Sequence, residues 1–288
     1  MNFTKMQGAG NDFILVEASN VDRDWSQMAI TMCDHHFGIG GDGLVVVLPS
    51  DKADLRMREF NSDGSEAEAC GNGLRCVAKY AAERGLIDAR AYQVSVETMS
   101  GIRKAKLRKT AGKVTGIQVS MGKPGFSAKD IPVLVELSQS EIPDIKPILD
   151  YPITVDGKEL LLNFVSMGNP HAVCFWQQPV SDFSLSQLGP AVEQHRLFPN
   201  RVNFEVANVI NRQRIEARVW ERGVGETLAC GSGACAVAVI AQIRGYVSNR
   251  VDIKLPGGTL SVEWDGIGEV LLNGPAEVVF SGEWPSEV

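Results

Sequence analysis

Apolar positions along the chain gather in short runs, many of them bounded by Gly, Pro, Asn or Asp. Runs rich in Val, Ile and Leu predict strands at 12–17, 44–49, 55–61, 92–97, 114–121, 161–166, 172–176, 203–210, 215–220, 251–255, 259–264 and 269–272. Gly112-Lys113, Asp156-Gly157, Gly257-Gly258 and Asp265-Gly266 read as hairpin turns. Helical spacing is rarer. It predicts long helices over 74–84 and 234–244, stopped by Gly85 and Gly245, and shorter outer helices over 24–36 and 185–195. The expected fold is α+β: two halves, each a mostly antiparallel, barrel-like sheet around one central helix. A proline-rich stretch with Pro124, Pro132, Pro143, Pro147 and Pro152 separates the halves, with a short helix expected near 138–142. The boundary falls near 122–126, giving domains over 1–123 and 124–275.

The two halves repeat each other in sequence. Ala69-Cys70-Gly71-Asn72-Gly73 returns as Ala229-Cys230-Gly231-Ser232-Gly233, 160 residues later. Glu66 matches Glu226, and Val77-Ala78 matches Val237-Ala238. Gly10-Asn11 pairs with Gly168-Asn169 at an offset of 158, and 37–42 pairs with 198–203 at 161. A period this long is a duplicated, pseudo-symmetric domain and not a solenoid.

Composition narrows the function. The 288 residues are 44% apolar and 22% charged, with a formal net charge of −7, which is ordinary for a globular chain. No basic cluster is present to meet a phosphate backbone, so nucleic acid is not an expected partner. No run approaches the ~20 apolar residues of a membrane helix, and the polar, glycine-rich start has no signal-peptide core. The six cysteines show no C-x-x-C and no metal-type spacing. The expectation is a reducing cytoplasm, without disulfides or metal.

The repeated cysteines each stand just before a predicted long helix. The first N–H groups of a helix lack internal partners and carry a partial positive charge. A thiol there ionises more easily, and glycine lets an anion such as a carboxylate approach the backbone. Two such thiols facing each other across a cleft between the halves could remove a proton from one face of a carbon and return one to the other, inverting it without a cofactor. Cys33, Cys76, Cys174 and Cys235 read as small buried hydrophobes.

Five segments carry a resemblance that spans nearly the whole chain. They are residues 5–13 (KMQGAGNDF), 60–65 (FNSDGS), 70–73 (CGNG), 166–171 (SMGNPH) and 220–233 (WERGVGETLACGSG). In these the chain resembles the diaminopimelate epimerases, a family of cofactor-independent amino-acid racemases. The resemblance implies interconversion of LL- and meso-diaminopimelate, in the route to lysine and peptidoglycan precursors. It implies that Cys70 and Cys230 are the acid–base pair and that the backbone of Gly71, Asn72, Gly231 and Ser232 holds the reacting carboxylate. Asn11, Asn61, Asn169, Asn203 and Arg222 would bind the rest of the substrate. His171 and Glu221 would tune the thiols, with Glu221 also bordering the substrate. It further implies a homodimer, no cofactor, and a final segment, 276–288, that returns to the first domain. Gly43 stands where some members have a substrate-contacting glutamine, and Phe280 where some have a tyrosine at a dimer contact. Two other readings share the fold: a proline or hydroxyproline racemase, for which Arg222 has no distal carboxylate to meet, and a non-catalytic redox-sensing protein using its cysteines as a reversible disulfide.

Overall fold

The structure, a computed structural model, describes residues 1–19, 23–67, 71–135 and 147–285. The helix expected near 138–142 lies outside the described residues. The chain divides into two compact units, Met1–Ser120 with Asn273–Val288, and Met121–Leu272. No helix among the described residues is long and apolar enough to cross a membrane.

The first unit opens with β1 (Asn2–Gly8) and β2 (Asn11–Glu17), an antiparallel pair. Helix α1 (Trp25–Cys33) follows, capped by Asp24, whose carboxylate accepts the Gln27 N–H at 3.0 Å. It leads into β3 (Gly43–Leu48), parallel to β2, then β4 (Leu55–Asn61) and the short β5 (Glu66–Ala67), each antiparallel to its predecessor. Helix α2 (Gly71–Glu83) carries the chain to β6 (Gln93–Thr98), parallel to β4, and β7 (Gly101–Thr110) and β8 (Lys113–Ser120) finish the row. Helix α2 touches β1, β2, β4, β7 and β8, so the sheet curves around it.

The second unit repeats this order. Strand β9 (Tyr151–Val155) pairs with β10 (Lys158–Ser166), and β10 with β11 (Pro170–Phe175). Helix α3 (Leu185–Glu193) crosses to β12 (Asn203–Asn211), parallel to β11. Strands β13 (Arg214–Glu221) and β14 (Gly225–Thr227) follow, then α4 (Gly231–Ile243), β15 (Arg250–Leu255) parallel to β13, and β16 (Gly258–Glu263). Helix α4 touches β10, β11, β12, β13, β15 and β16. Strand β17 (Leu271–Gly274) leads out, and β18 (Glu277–Glu283) pairs antiparallel with β1. The mostly antiparallel sheet around a central helix is thus built twice, with parallel joins only where a helix intervenes.

The long helices end as expected. Gly85 and Gly245 both have φ +72°, and the following N–H groups reach back to Ala81 O and Tyr246's partner Ala241 O at 2.9 Å. Their starts differ from expectation. The glycine-rich tripeptides are the first helical turn rather than a preceding loop, because first-turn residues need no intrahelical N–H partner. Strands β1, β5, β7, β9, β14 and β18 were not anticipated from the apolar pattern.

Helix α3 braces the end of β13. Trp220 Nε1 donates to Glu193 Oε2 at 2.8 Å, and Glu193 Oε1 accepts the Gly223 N–H at 2.9 Å. The indole lies so close to α3 that a Cβ on Gly189 would sit 2.5 Å from its ring. Gly189→Ala therefore forces the anchored ring to move. Overpacking of this kind costs about 1–3 kcal/mol, more than the ~1 kcal/mol alanine gains in helix propensity. The expected outcome is a lower thermal midpoint by calorimetry; an unchanged or higher midpoint would contradict the bracing role.

Candidate active site

In the second unit the candidate residues converge on the start of α4. Cys230 is its N-cap, with extended backbone (φ −121°, ψ 118°), and its Sγ accepts the Gly233 N–H at 3.4 Å. The first intrahelical bond runs from Ala234 N–H to Cys230 O. The N–H groups of Gly231 and Ser232 have no hydrogen-bond partner among the described residues, which leaves an anion site beside the sulfur.

Three strands deliver the surrounding side chains. The parallel register of β11 and β12 sets His171 beside Asn203. Asn203 Nδ2 donates to Pro170 O at 2.9 Å, and its Oδ1 accepts the Arg222 N–H at 3.0 Å. Asn203 thus ties β11 to the end of β13. Asn169 Nδ2 donates to Ser232 Oγ at 3.3 Å, and Ser232 Oγ lies 3.5 Å from Cys230 Sγ. Arg222 is exposed. Among the described residues its guanidinium makes one hydrogen bond, to Asn200 O at 3.2 Å, leaving the rest of its donor fork open.

Burial, and then the charge of Glu221, push the Cys230 thiol well above its ordinary value, against the opposing pull of the Ser232 hydroxyl and the Gly233 N–H at the helix start. Burial also pushes the Glu221 carboxyl up, opposed by the Thr227 hydroxyl that donates to it and by the Cys230 thiol.

In the first unit Cys70 lies outside the described residues, while Gly71 and Asn72 open α2. Asn72 Nδ2 donates to Asn11 Oδ1 at 3.1 Å, and Asn11 Nδ2 donates to Asp42 Oδ2 at 2.7 Å. Arg75, fully buried, donates to Asn72 Oδ1 at 2.8 Å and Gly71 O at 3.2 Å. Asn61 ends β4, with its Nδ2 donating to Ser65 Oγ at 2.9 Å. The strand register pairs Phe13 with Gly43 as it pairs His171 with Asn203, so the counterpart of Asn203 is Gly43 and not Asp42. A Cβ at Gly43 would fall 2.8 Å from Phe60 O, too close for a side chain without backbone movement.

Several residues escaped the sequence reading: Asp42, Arg75, and the buried carboxylates Glu59 and Glu205. A Cβ on Gly73 would meet Glu59 Oε2 at 2.5 Å, and one on Gly233 would meet Glu205 Oε1 at 2.9 Å. Each central helix therefore has a buried carboxylate against its positive end. For Glu205 the available signal was a lone acidic residue in a largely apolar strand; Glu59, beside Arg58 in β4, carries no such signal. The remaining described cysteines are packing residues: burial pushes Cys33 and Cys76 up to about 12 and Cys174 to about 11, and Cys235 is also buried. No three His, Cys, Asp or Glu side chains gather as a metal site among the described residues.

Comparison with known proteins agrees with this geometry. The family model for diaminopimelate epimerase matches residues 3–127 and 163–279. The chain is 46% identical over 288 residues to a diaminopimelate epimerase of Moorella thermoacetica, covering 99% of each. It is 46% identical over 285 residues to one of Acetivibrio thermocellus, covering 98% of each. A solved hydroxyproline epimerase from Agrobacterium vitis shares the fold, with a TM-score of 0.71 at 15% identity over 98% of this chain and 91% of that one. The chain belongs to the diaminopimelate epimerase family.

Proposed function

We infer that this isomerase interconverts LL- and meso-diaminopimelate by removing the α-proton to one thiolate and delivering a different proton to the opposite face from the other thiol. The observation that carries the reading is the start of α4, where a buried N-cap thiol stands beside the open N–H groups of Gly231 and Ser232. A carboxylate held there places its α-carbon next to sulfur, and the helix end favours the developing negative charge. Cys70 repeats the Cys230 motif and serves as the second base: one cysteine takes the proton while the other donates on the opposite face. Burial and the Glu221 charge push the Cys230 thiol up, while the Ser232 hydroxyl and the Gly233 N–H favour its thiolate. The open guanidinium of Arg222 reads the distal carboxylate with a fork that lysine cannot reproduce. The reaction belongs to lysine and peptidoglycan precursor synthesis, in the cytoplasm, and needs no cofactor.

Cys70→Ala and Cys230→Ala are each expected to abolish conversion of the LL isomer, followed by chiral chromatography, with far-UV circular dichroism unchanged. Arg222→Lys should lose about ten- to hundredfold in kcat/KM for diaminopimelate, the range of a lost charge-assisted contact, with both thiols still titratable. Wild-type turnover of proline but not of diaminopimelate would refute the assignment.

The homodimer reading rests on β18, where Val278, Val279 and Phe280 are all exposed. Phe280 packs edge-on against Phe3 at 5.8 Å and leaves its outer face open. Sedimentation should give twice the chain mass, and Val279→Asp should shift it toward one. A monomeric wild type would contradict this.

A further inference from the structure

In the first unit two charged residues stand at the ends of a row of hydrogen-bonded side chains. Arg75 is fully buried and Asn72 is 1% exposed. Arg75 Nη2 donates to Asn72 Oδ1 at 2.8 Å, Asn72 Nδ2 donates to Asn11 Oδ1 at 3.1 Å, and Asn11 Nδ2 donates to Asp42 Oδ2 at 2.7 Å.

The direction of the row follows from Arg75 alone. A guanidinium stays protonated and carries only donors. The Asn72 atom that faces it is therefore the amide oxygen, which turns the Asn72 nitrogen toward Asn11. That nitrogen meets the Asn11 oxygen, so the Asn11 nitrogen faces Asp42. The Asp42 end agrees, because the same Oδ2 also accepts the Asp12 N–H at 2.9 Å. Reversing the Asn11 amide would set nitrogen against nitrogen at Asn72 and oxygen against oxygen at Asp42.

Arg75 also holds the turn that carries Asn72. Its Nη1 donates to Gly71 O at 3.2 Å and its Nε to Pro275 O at 3.1 Å. Strand β1 passes close by: a Cβ on Gly8 would lie 3.1 Å from Arg75 Nη2 and 3.4 Å from Asn72 O. The second unit has neither charge. Cys235 stands 160 residues after Arg75, and by strand register Val202 stands where Asp42 does; both are buried. The row is thus particular to the first unit and is not a requirement of the repeated fold.

We propose that Arg75, acting through Asn72, and Asp42 are positioning residues that fix from both ends which way the Asn11 amide faces toward substrate. This rests on the epimerase reading, in which Asn11 binds the substrate through its side chain. Diaminopimelate carries carboxylates and ammonium groups. A carboxylate takes an N–H and an ammonium takes a C=O, so the facing of the amide matters to binding as much as its presence. Setting it before the substrate arrives lowers the ordering cost of binding.

The test is steady-state kinetics with LL-diaminopimelate, with thermal midpoints measured on the same samples. Asp42→Ala, at an exposed position, removes the acceptor from Asn11. Its KM should rise about tenfold while kcat stays within about threefold of wild type, the split expected when ground-state binding is lost. Asp42→Asn keeps an acceptor oxygen and should bring KM back to within about threefold of wild type. Arg75→Lys keeps the charge but not the fork, and should raise KM about as much as Asp42→Ala. A purely structural role would lower the midpoint or kcat without raising KM. An unchanged KM in Asp42→Ala or in a folded Arg75→Lys would overturn the proposal, as would an Asp42→Asn variant as impaired as Asp42→Ala. If Arg75→Lys does not fold, the two Asp42 variants decide alone. Absence of wild-type turnover refutes the epimerase reading, whereas normal wild-type turnover with KM unmoved in Asp42→Ala refutes only the positioning.

Discussion

The structure depends on how one helix begins. At the start of α4 a cysteine replaces the usual Ser, Thr, Asp or Asn cap, and the turn that follows is nearly all glycine and serine. That choice leaves the Gly231 and Ser232 N–H groups without partners among the described residues, the kind of helix end that suits an anion. The sheet then supplies what the helix cannot. Strands β11, β12 and β13 bring His171, Asn203, Glu205 and Glu221 to the same end, because the parallel joins align strand ends beside the helix start. Glycine at 233 is required by the resulting closeness: the Glu205 carboxylate occupies the space a Cβ would need.

Duplication explains why the arrangement exists twice and why the copies have diverged. Each unit repeats the same strand pairings and the same glycine-stopped central helix. Some polar residues repeat, Asn11 as Asn169 and the Arg58–Glu66 pair as Arg218–Glu226, but several at the strand ends do not. Asn61 stands where Glu221 does, Phe13 where His171 does, Val45 where Glu205 does, and Gly43 where Asn203 does. Substitutions at these strand positions change the chemistry around each helix start without altering the strand pairing.

Much of this was legible in the sequence. The repeated A-C-G-[NS]-G marked the helix starts, Gly85 and Gly245 marked the stops, and the Val/Ile/Leu runs marked the buried strands. What escaped did so for physical reasons. Strand β1 carries Lys5, buried because its ammonium is satisfied by Asp12 and Gly40 O, so its pattern does not read as apolar. Strand β7 buries only Ala105 and Leu107 among its ten residues, and β18 buries none. Strand β9 contains Pro152, which argues against a strand until its edge-like pairing is seen. Glu205 reads as one acidic residue in an apolar run; only the fold shows its partner, His171, 34 positions away. At Cys230 the helix start does favour the thiolate, but burial and the Glu221 charge, which come from other strands and are invisible to local sequence, outweigh it.

The central claim is a two-base inversion at the α-carbon, and single-turnover labelling tests it most directly. LL-diaminopimelate converted in heavy water by the wild-type enzyme should yield meso product that carries solvent deuterium at the inverted carbon. The unreacted LL isomer, at low conversion, should keep its proton, because the acid that delivers the new hydrogen is not the base that removed the old one. Deuterium appearing equally in product and recovered substrate from the first turnovers, or in neither, would contradict the account.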